Sequence, residues 1–214
     1  MSIMARIEKG ILGGFKGKVG TVVGVTWRGM DIIRSVPRAS RKKPTEDQLL
    51  QRFKFKLVVG FLQPLKEIQS LYFGVNQGTQ SRVNIATSYV LSEAIEMVND
   101  IPAIVYSRVM ITKGDLAGFQ SLKITPKADA KLSLEWEDNG TQSNAQDTDM
   151  INLICYNEKQ SSFAIFEGLT SRNIMKAEAI LPADYKEVHV WAYLNNEKKT
   201  QASTSVYFGK LTFP

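Results

Sequence analysis

Val188-His-Val-Trp-Ala-Tyr-Leu194 alternates two sets of side chains along seven residues. In an extended chain Val188, Val190 and Ala192 share one side, and His189, Trp191 and Tyr193 the other. That is a β-strand with an aliphatic and an aromatic side. Six further runs of strand character precede or follow it, at residues 122–124, 131–136, 150–156, 162–166, 173–180 and 204–211. Turn signals separate them, among them Asp138-Asn-Gly140, Asn157-Glu-Lys159 and Asn195-Asn-Glu197. Seven short strands in about 95 residues predict an all-β sandwich over 119–214, immunoglobulin/fibronectin-III-like. Leu132, Leu134 and Trp136 alternate inward. With Cys155 as the single cysteine, no disulfide joins the sheets, which favours the fibronectin type III form over the antibody form. Tyr185, three residues before Val188, is placed as a tyrosine corner.

The first 118 residues read differently, as an α+β half. Seven glycines lie between positions 10 and 29. Residues 19–27 and 30–36 are rich in Val, Thr, Trp and Ile, and Arg28-Gly29 sits between them, so the segment predicts a β-hairpin. Trp27, Ile32 and Ile33 would supply its apolar contacts. Gly20 and Gly24 let it bend, or let another element press on it. A lone hairpin is marginal in water, so this one must lie on a helix, another domain or another subunit. A linker at 37–44 carries Arg38, Arg41, Lys42 and Lys43. Thr45-Glu-Asp-Gln48 then has the form of a capping box. Leu50, Phe53, Leu57 and Phe61 recur at helical spacing. Pro64 kinks or restarts the helix, which runs to about residue 72 and closes at Gly74. Residues 81–99 predict another helix, 104–111 a strand, and Lys113-Gly114-Asp115 a turn.

Charge is uneven. Net charge is +6 over the chain, but residues 1–60 hold 13 Lys and Arg against 4 Asp and Glu, while residues 121–214 hold 10 against 12. A basic arm beside a near-neutral body points to a polyanion or an acidic protein surface, or simply to a well-solvated loop. The apolar fraction, 43%, suffices for a core. No apolar stretch reaches 18 residues, so no membrane span is expected, and the first ten residues lack the apolar run of a secretory signal. A cytoplasmic location is the default expectation, and signal-independent export is compatible with it.

Reaction chemistry finds little footing. His189 is the single histidine, and its strand setting makes it a sheet-surface residue rather than a catalytic base. One His and one Cys fall short of a closed zinc site. Asp147, Asp149 and Glu158 read as solvated loop acids, since Asp147-Thr-Asp149 lacks the rest of a calcium loop. Gly14-Phe-Lys-Gly-Lys-Val-Gly20 does not fit a phosphate loop: Val19 stands where Ser or Thr would bind magnesium. No enzyme, cofactor or metal is expected.

Gly14-Phe-Lys-Gly-Lys-Val-Gly20, Val22-Val-Gly24, Trp27-Arg-Gly29, Ile33-Arg-Ser35 and Pro37, followed by Thr45, Gln48, Arg52 and Lys54-Phe55, resemble an uncharacterised Bacteroidetes family of domains of unknown function about this long. The resemblance extends through Tyr106-Ser107 and Gly114-Asp115-Leu116 to Val188-His-Val-Trp-Ala192 and to Ser205, Tyr207 and Gly209. It implies the order of elements and a two-part design, and no activity.

Three functional expectations follow. The first is a non-enzymatic, self-assembling structural subunit whose glycine-rich arm packs on a neighbouring copy. The second is nucleic-acid or other polyanion binding by that arm. Both use Phe15, Lys16, Lys18, Trp27, Arg28, Arg34, Arg38, Arg41, Lys42 and Lys43. The third is a carbohydrate-binding or adaptor module with Trp191 and Tyr193 as an exposed aromatic face.

Overall fold

The computed structural model describes residues 6–7 (backbone alone), 14–27, 29–37, 43–76, 78 and 80–214. The chain divides into two compact units, Met1–Glu46 and Asp47–Pro214. Among the described residues no helix is long and apolar enough to cross a membrane.

The first unit is a four-stranded sheet in the order β1-β2-β3-β4, formed by Arg6–Ile7, Phe15–Val19, Val22–Trp27 and Met30–Ser35. The predicted hairpin is β3–β4, antiparallel from Val22↔Ser35 to Trp27↔Met30. Strand β2 adds a second hairpin ahead of it, Val19 facing Val22 across Gly20-Thr21. Gly20 has φ +56°, a left-handed conformation that suits the first position of a two-residue loop. Gly24 answers a different need: a Cβ there would stand 2.0 Å from the Phe15 carbonyl oxygen and 2.7 Å from the Phe15 ring. Another element does press on Gly24, and it is β2. Gly10 to Gly13 lie outside the described residues.

In the second unit all seven strands of the sandwich reading are present. Sheet one is β10-β9-β12-β13, from Ser162–Phe166, Met150–Asn157, Glu187–Asn195 and Val206–Thr212. Sheet two is β11-β8-β7, from Lys176–Ile180, Lys131–Glu137 and Gln120–Lys127. One core joins them: Ile124, Leu132, Leu134, Trp136, Ala177 and Ala179 with Ile151, Leu153, Cys155, Val188, Val190, Ala192 and Leu194. Burial pushes the Cys155 thiol well up, away from the reactive thiolate.

The aromatic side of β12 is covered as well. Helices α1 (Glu46–Leu62), α2 (Lys66–Tyr72) and α3 (Arg82–Glu93) place Val58, Phe61, Leu62, Ile68, Tyr72 and Val90 against Ile154, Tyr156, Trp191 and Tyr193. Trp191 is 0% exposed and Tyr193 1%, so no exposed aromatic face exists there and the carbohydrate-binding reading falls. The boundary expected at 118/119 also differs from the observed division at 46/47. The helices and the sandwich share a core, because sheet one is apolar on both faces and needs cover on both.

Local signals acted as chemistry requires. Pro64 ends α1 in a 3-10 turn, Gln63–Leu65, before α2 resumes and stops at Tyr72, with Gly74 at φ +59°. The Ser81 hydroxyl accepts from the Asn84 amide and starts α3. Other expectations fail. Phe53 is exposed, because the last turns of α1, Val58, Phe61 and Leu62, are what reach the core. Helix α3 stops at Glu93 and the chain turns into a hairpin, β5 (Ile95–Val98) with β6 (Ile101–Ile104). Asn99 and Asp100, at φ +50° and +61°, form its turn, the positive-φ pair that hairpins favour. The strand expected over 104–111 is instead a 3-10 turn at Tyr106–Arg108 and an extended segment stitched to residues 203–205. Gly114 belongs to that seam, since a Cβ there would meet the Ala202 carbonyl oxygen at 2.1 Å. Tyr185 is buried, but its hydroxyl meets Ser162 Oγ at 2.8 Å rather than upstream backbone, so it is not a tyrosine corner.

Candidate interaction surfaces

The register of β2, β3 and β4 sorts the arm residues by face, because directly opposed residues project the same way. Lys18, Val23 and Arg34 form one row; Val25 and Ile32 the next; Trp27 and Met30 the last. All seven lie on one face. The other carries Val19, Val22 and Ser35, then Gly17, Gly24 and Ile33, then Thr26 and Asp31, whose side chains are hydrogen-bonded. Phe15 lies over Gly24 on that second face, so it does not act beside Trp27 as the sequence suggested.

Both faces hold exposed apolar side chains. Trp27 is 45% exposed on the first and Ile33 65% on the second. Lys16 and Arg34 are exposed, and so is Lys43, in the segment leading into α1. Arg28, Arg38, Arg41 and Lys42 lie outside the described residues. Lys16, two residues before Lys18 in β2, projects with it, so of the ten proposed contact residues the structure gathers Lys16, Lys18, Trp27 and Arg34 on one face.

The second unit contains a groove that sequence reasoning missed. About 610 Å³ in volume, it is walled by rings of Phe53, Phe61, Tyr106, Tyr156 and Phe163 and edged by Glu158. These rings come from α1, the 3-10 turn, β9 and β10. Phe61 meets Tyr156 edge-on at 5.0 Å, and Tyr156 meets Phe163 at 4.6 Å. The legible signal was the alternation of β9, which puts Tyr156 on the same side as Ile154.

Behind the groove lies His189, buried rather than on the sheet surface. Tyr106 covers its ring at 4.1 Å, and its Nδ1 lies 2.8 Å from the Tyr207 hydroxyl. Its Nε2 is 3.7 Å from Glu158, too far for a hydrogen bond, and among the described residues no acceptor or donor bonds to it. Burial lowers its pKa, Glu158 pulls it up, and Lys210 pushes it down.

Asp149, read as a solvated loop acid, is also buried. Its carboxylate takes Nε and Nη2 of Arg172 at 3.2 and 3.0 Å. Arg172 also donates to the carbonyls of Ala117 and Gly118 and to Asn139. This network ties the 117–118 segment and the 139 loop to the end of β9. Among the described residues no group of three or more His, Cys, Asp or Glu is placed to hold a metal ion.

No curated protein matches the chain. Residues 14–209, from the start of β2 to near the end of β13, match the family of unknown function DUF6266, and the chain belongs to that family.

Proposed function

We propose that this protein is a non-enzymatic structural subunit that assembles with copies of itself, the N-terminal sheet packing on a neighbour. The supporting observation is that sheet. It has four short strands, yet leaves Val19 and Ile33 open on one face and Trp27 and Met30 on the other. Water-facing sheets do not ordinarily keep such residues on both faces, and exposed apolar patches of this kind mark interaction surfaces. Charge favours a contact between unlike parts: residues 1–60 carry +9 and residues 121–214 carry −2, from 13 less 4 and 10 less 12. The second unit supplies the rigid body, and its strand order supports a fibronectin-III-like sandwich.

Light scattering on the full chain tests this. The expected mass is a multiple of 23.9 kDa, and Ile33→Lys should reduce it to a single chain. A wild-type protein of single-chain mass at every concentration overturns the proposal.

A second reading, nucleic-acid binding, is favoured by the row Lys18, Val23 and Arg34 sharing a face with Trp27: cations for phosphates beside a ring for base stacking. A mobility shift that weakens with salt and is lost in a Lys18→Glu, Arg34→Glu double variant would favour it over assembly.

A further inference from the structure

Resting on the assembly reading, one edge of the sandwich stands apart. Edge strands offer unpaired backbone N–H and C=O groups, and proteins blunt them with charge, proline or bulges. Three of the four edges here are blunted. Strand β13 carries Lys210 and faces a register break between Val190 and Trp191. Strand β7 holds Lys123, Pro126 and Lys127 and breaks register between Gln120 and Lys123. Strand β11 carries Lys176 and Glu178.

Strand β10 has none of these devices. It reads Ser-Phe-Ala-Ile-Phe, and its pairing with β9 is unbroken over five positions, Ser162↔Asn157 to Phe166↔Leu153. Among the described strands none pairs with its outer side. Ile165 is 37% exposed, and Phe163 enters the aromatic groove. Acids bracket the strand in sequence, Glu158 before it and Glu167 directly after.

We infer that β10 is the acceptor edge for β4 of a second copy, which adds to sheet one by β-augmentation. Strand β4, Met30–Ser35, is itself the end strand of its sheet, and its six residues are enough to span the five of β10. Its exposed Ile33 and Arg34 offer an apolar side chain for the groove and a cation for a bracketing acid. Donor and acceptor are different surfaces, so the contact is head-to-tail and generates rings or filaments.

The test uses three full-length proteins: wild type, Ile33→Lys and Ile165→Lys. Wild type should be multimeric and each variant a single chain. A one-to-one mixture of the variants should form a species of two chains, because each keeps the surface the other lacks. If Ile165→Lys keeps the wild-type mass while Ile33→Lys is a single chain, assembly stands and β10 is not the acceptor. A mixture that remains single-chain overturns the β4–β10 pairing. A single-chain wild type overturns both readings. Should Ile165→Lys lower the melting temperature, Ser162→Lys at the start of the strand repeats the measurement.

Discussion

In β12 the side chains of Val188, Val190, Trp191 and Tyr193 are buried on both faces of a sheet; in β3 and β4 Trp27, Met30 and Ile33 stay open on both. Residue types barely distinguish the two places. What differs is cover. Sheet one has a second sheet on one side and three helices on the other. The N-terminal sheet exposes apolar residues from either face. An apolar strand therefore reports a demand for cover, and only the rest of the chain says whether the demand is met within one molecule.

The two tryptophans break or keep this contrast most sharply. Trp191→Ala removes a fully buried indole and orphans the Val109 carbonyl that its Nε1 bonds at 3.0 Å. The expected loss is about 3–5 kcal/mol by urea denaturation. Trp27→Ala should cost about 1 kcal/mol or less in the dilute protein. Equal losses would mean that Trp27 is as enclosed as Trp191. In the covered region Arg172→Ala should cost a similar 3–5 kcal/mol, because it strands the buried Asp149 carboxylate. A loss under 1 kcal/mol would show that water reaches Asp149.

Next come the glycines. Gly24→Ala drives a methyl into the Phe15 backbone and ring and should cost about 1–3 kcal/mol. Gly60, inside α1, has nothing within 4 Å of a Cβ, so Gly60→Ala should stabilise by about 0.5–1 kcal/mol. Thermal melts of the pair decide it. Tolerance of Gly24→Ala would mean that β2 does not hold β3 as described.

Alternation made the sandwich legible, since period-two patterns survive in short strands and seven of seven were placed. The β3–β4 hairpin was legible for the same reason. Residues 95–104 were not: the helical pattern expected over 81–99 runs past Glu93, and the turn at Asn99-Asp100 is defined by positive φ values that no local pattern displays. The groove was invisible because its rings come from four separate elements, and no local pattern joins Phe61 to Phe163. The Arg172–Asp149 pair was missed because residues 23 apart show nothing of their contact in sequence. Among the arm residues, charge was readable, but only register shows that Phe15 and Trp27 occupy opposite faces.

The smallest expected effect is the most specific to the covered face. His189 is enclosed by Tyr106, Tyr207 and Trp191, with Glu158 and Lys210 as its charged neighbours. Burial outweighs Glu158 and holds its pKa below the ordinary 6.5. Below about pH 6.5 the unfolded chain therefore binds the proton more readily than the folded one. The stability tied to this residue is complete above 6.5 and is lost as pH falls through the folded value. In urea melts at pH 7.5 and 5.5, wild type should lose more than His189→Gln, whose side chain does not titrate. Equal losses would mean that His189 is solvated enough to protonate alike in both states, and that the cover over β12 is open at Tyr106. A smaller loss in wild type would reverse the balance, with the Glu158 charge at 3.7 Å outweighing burial.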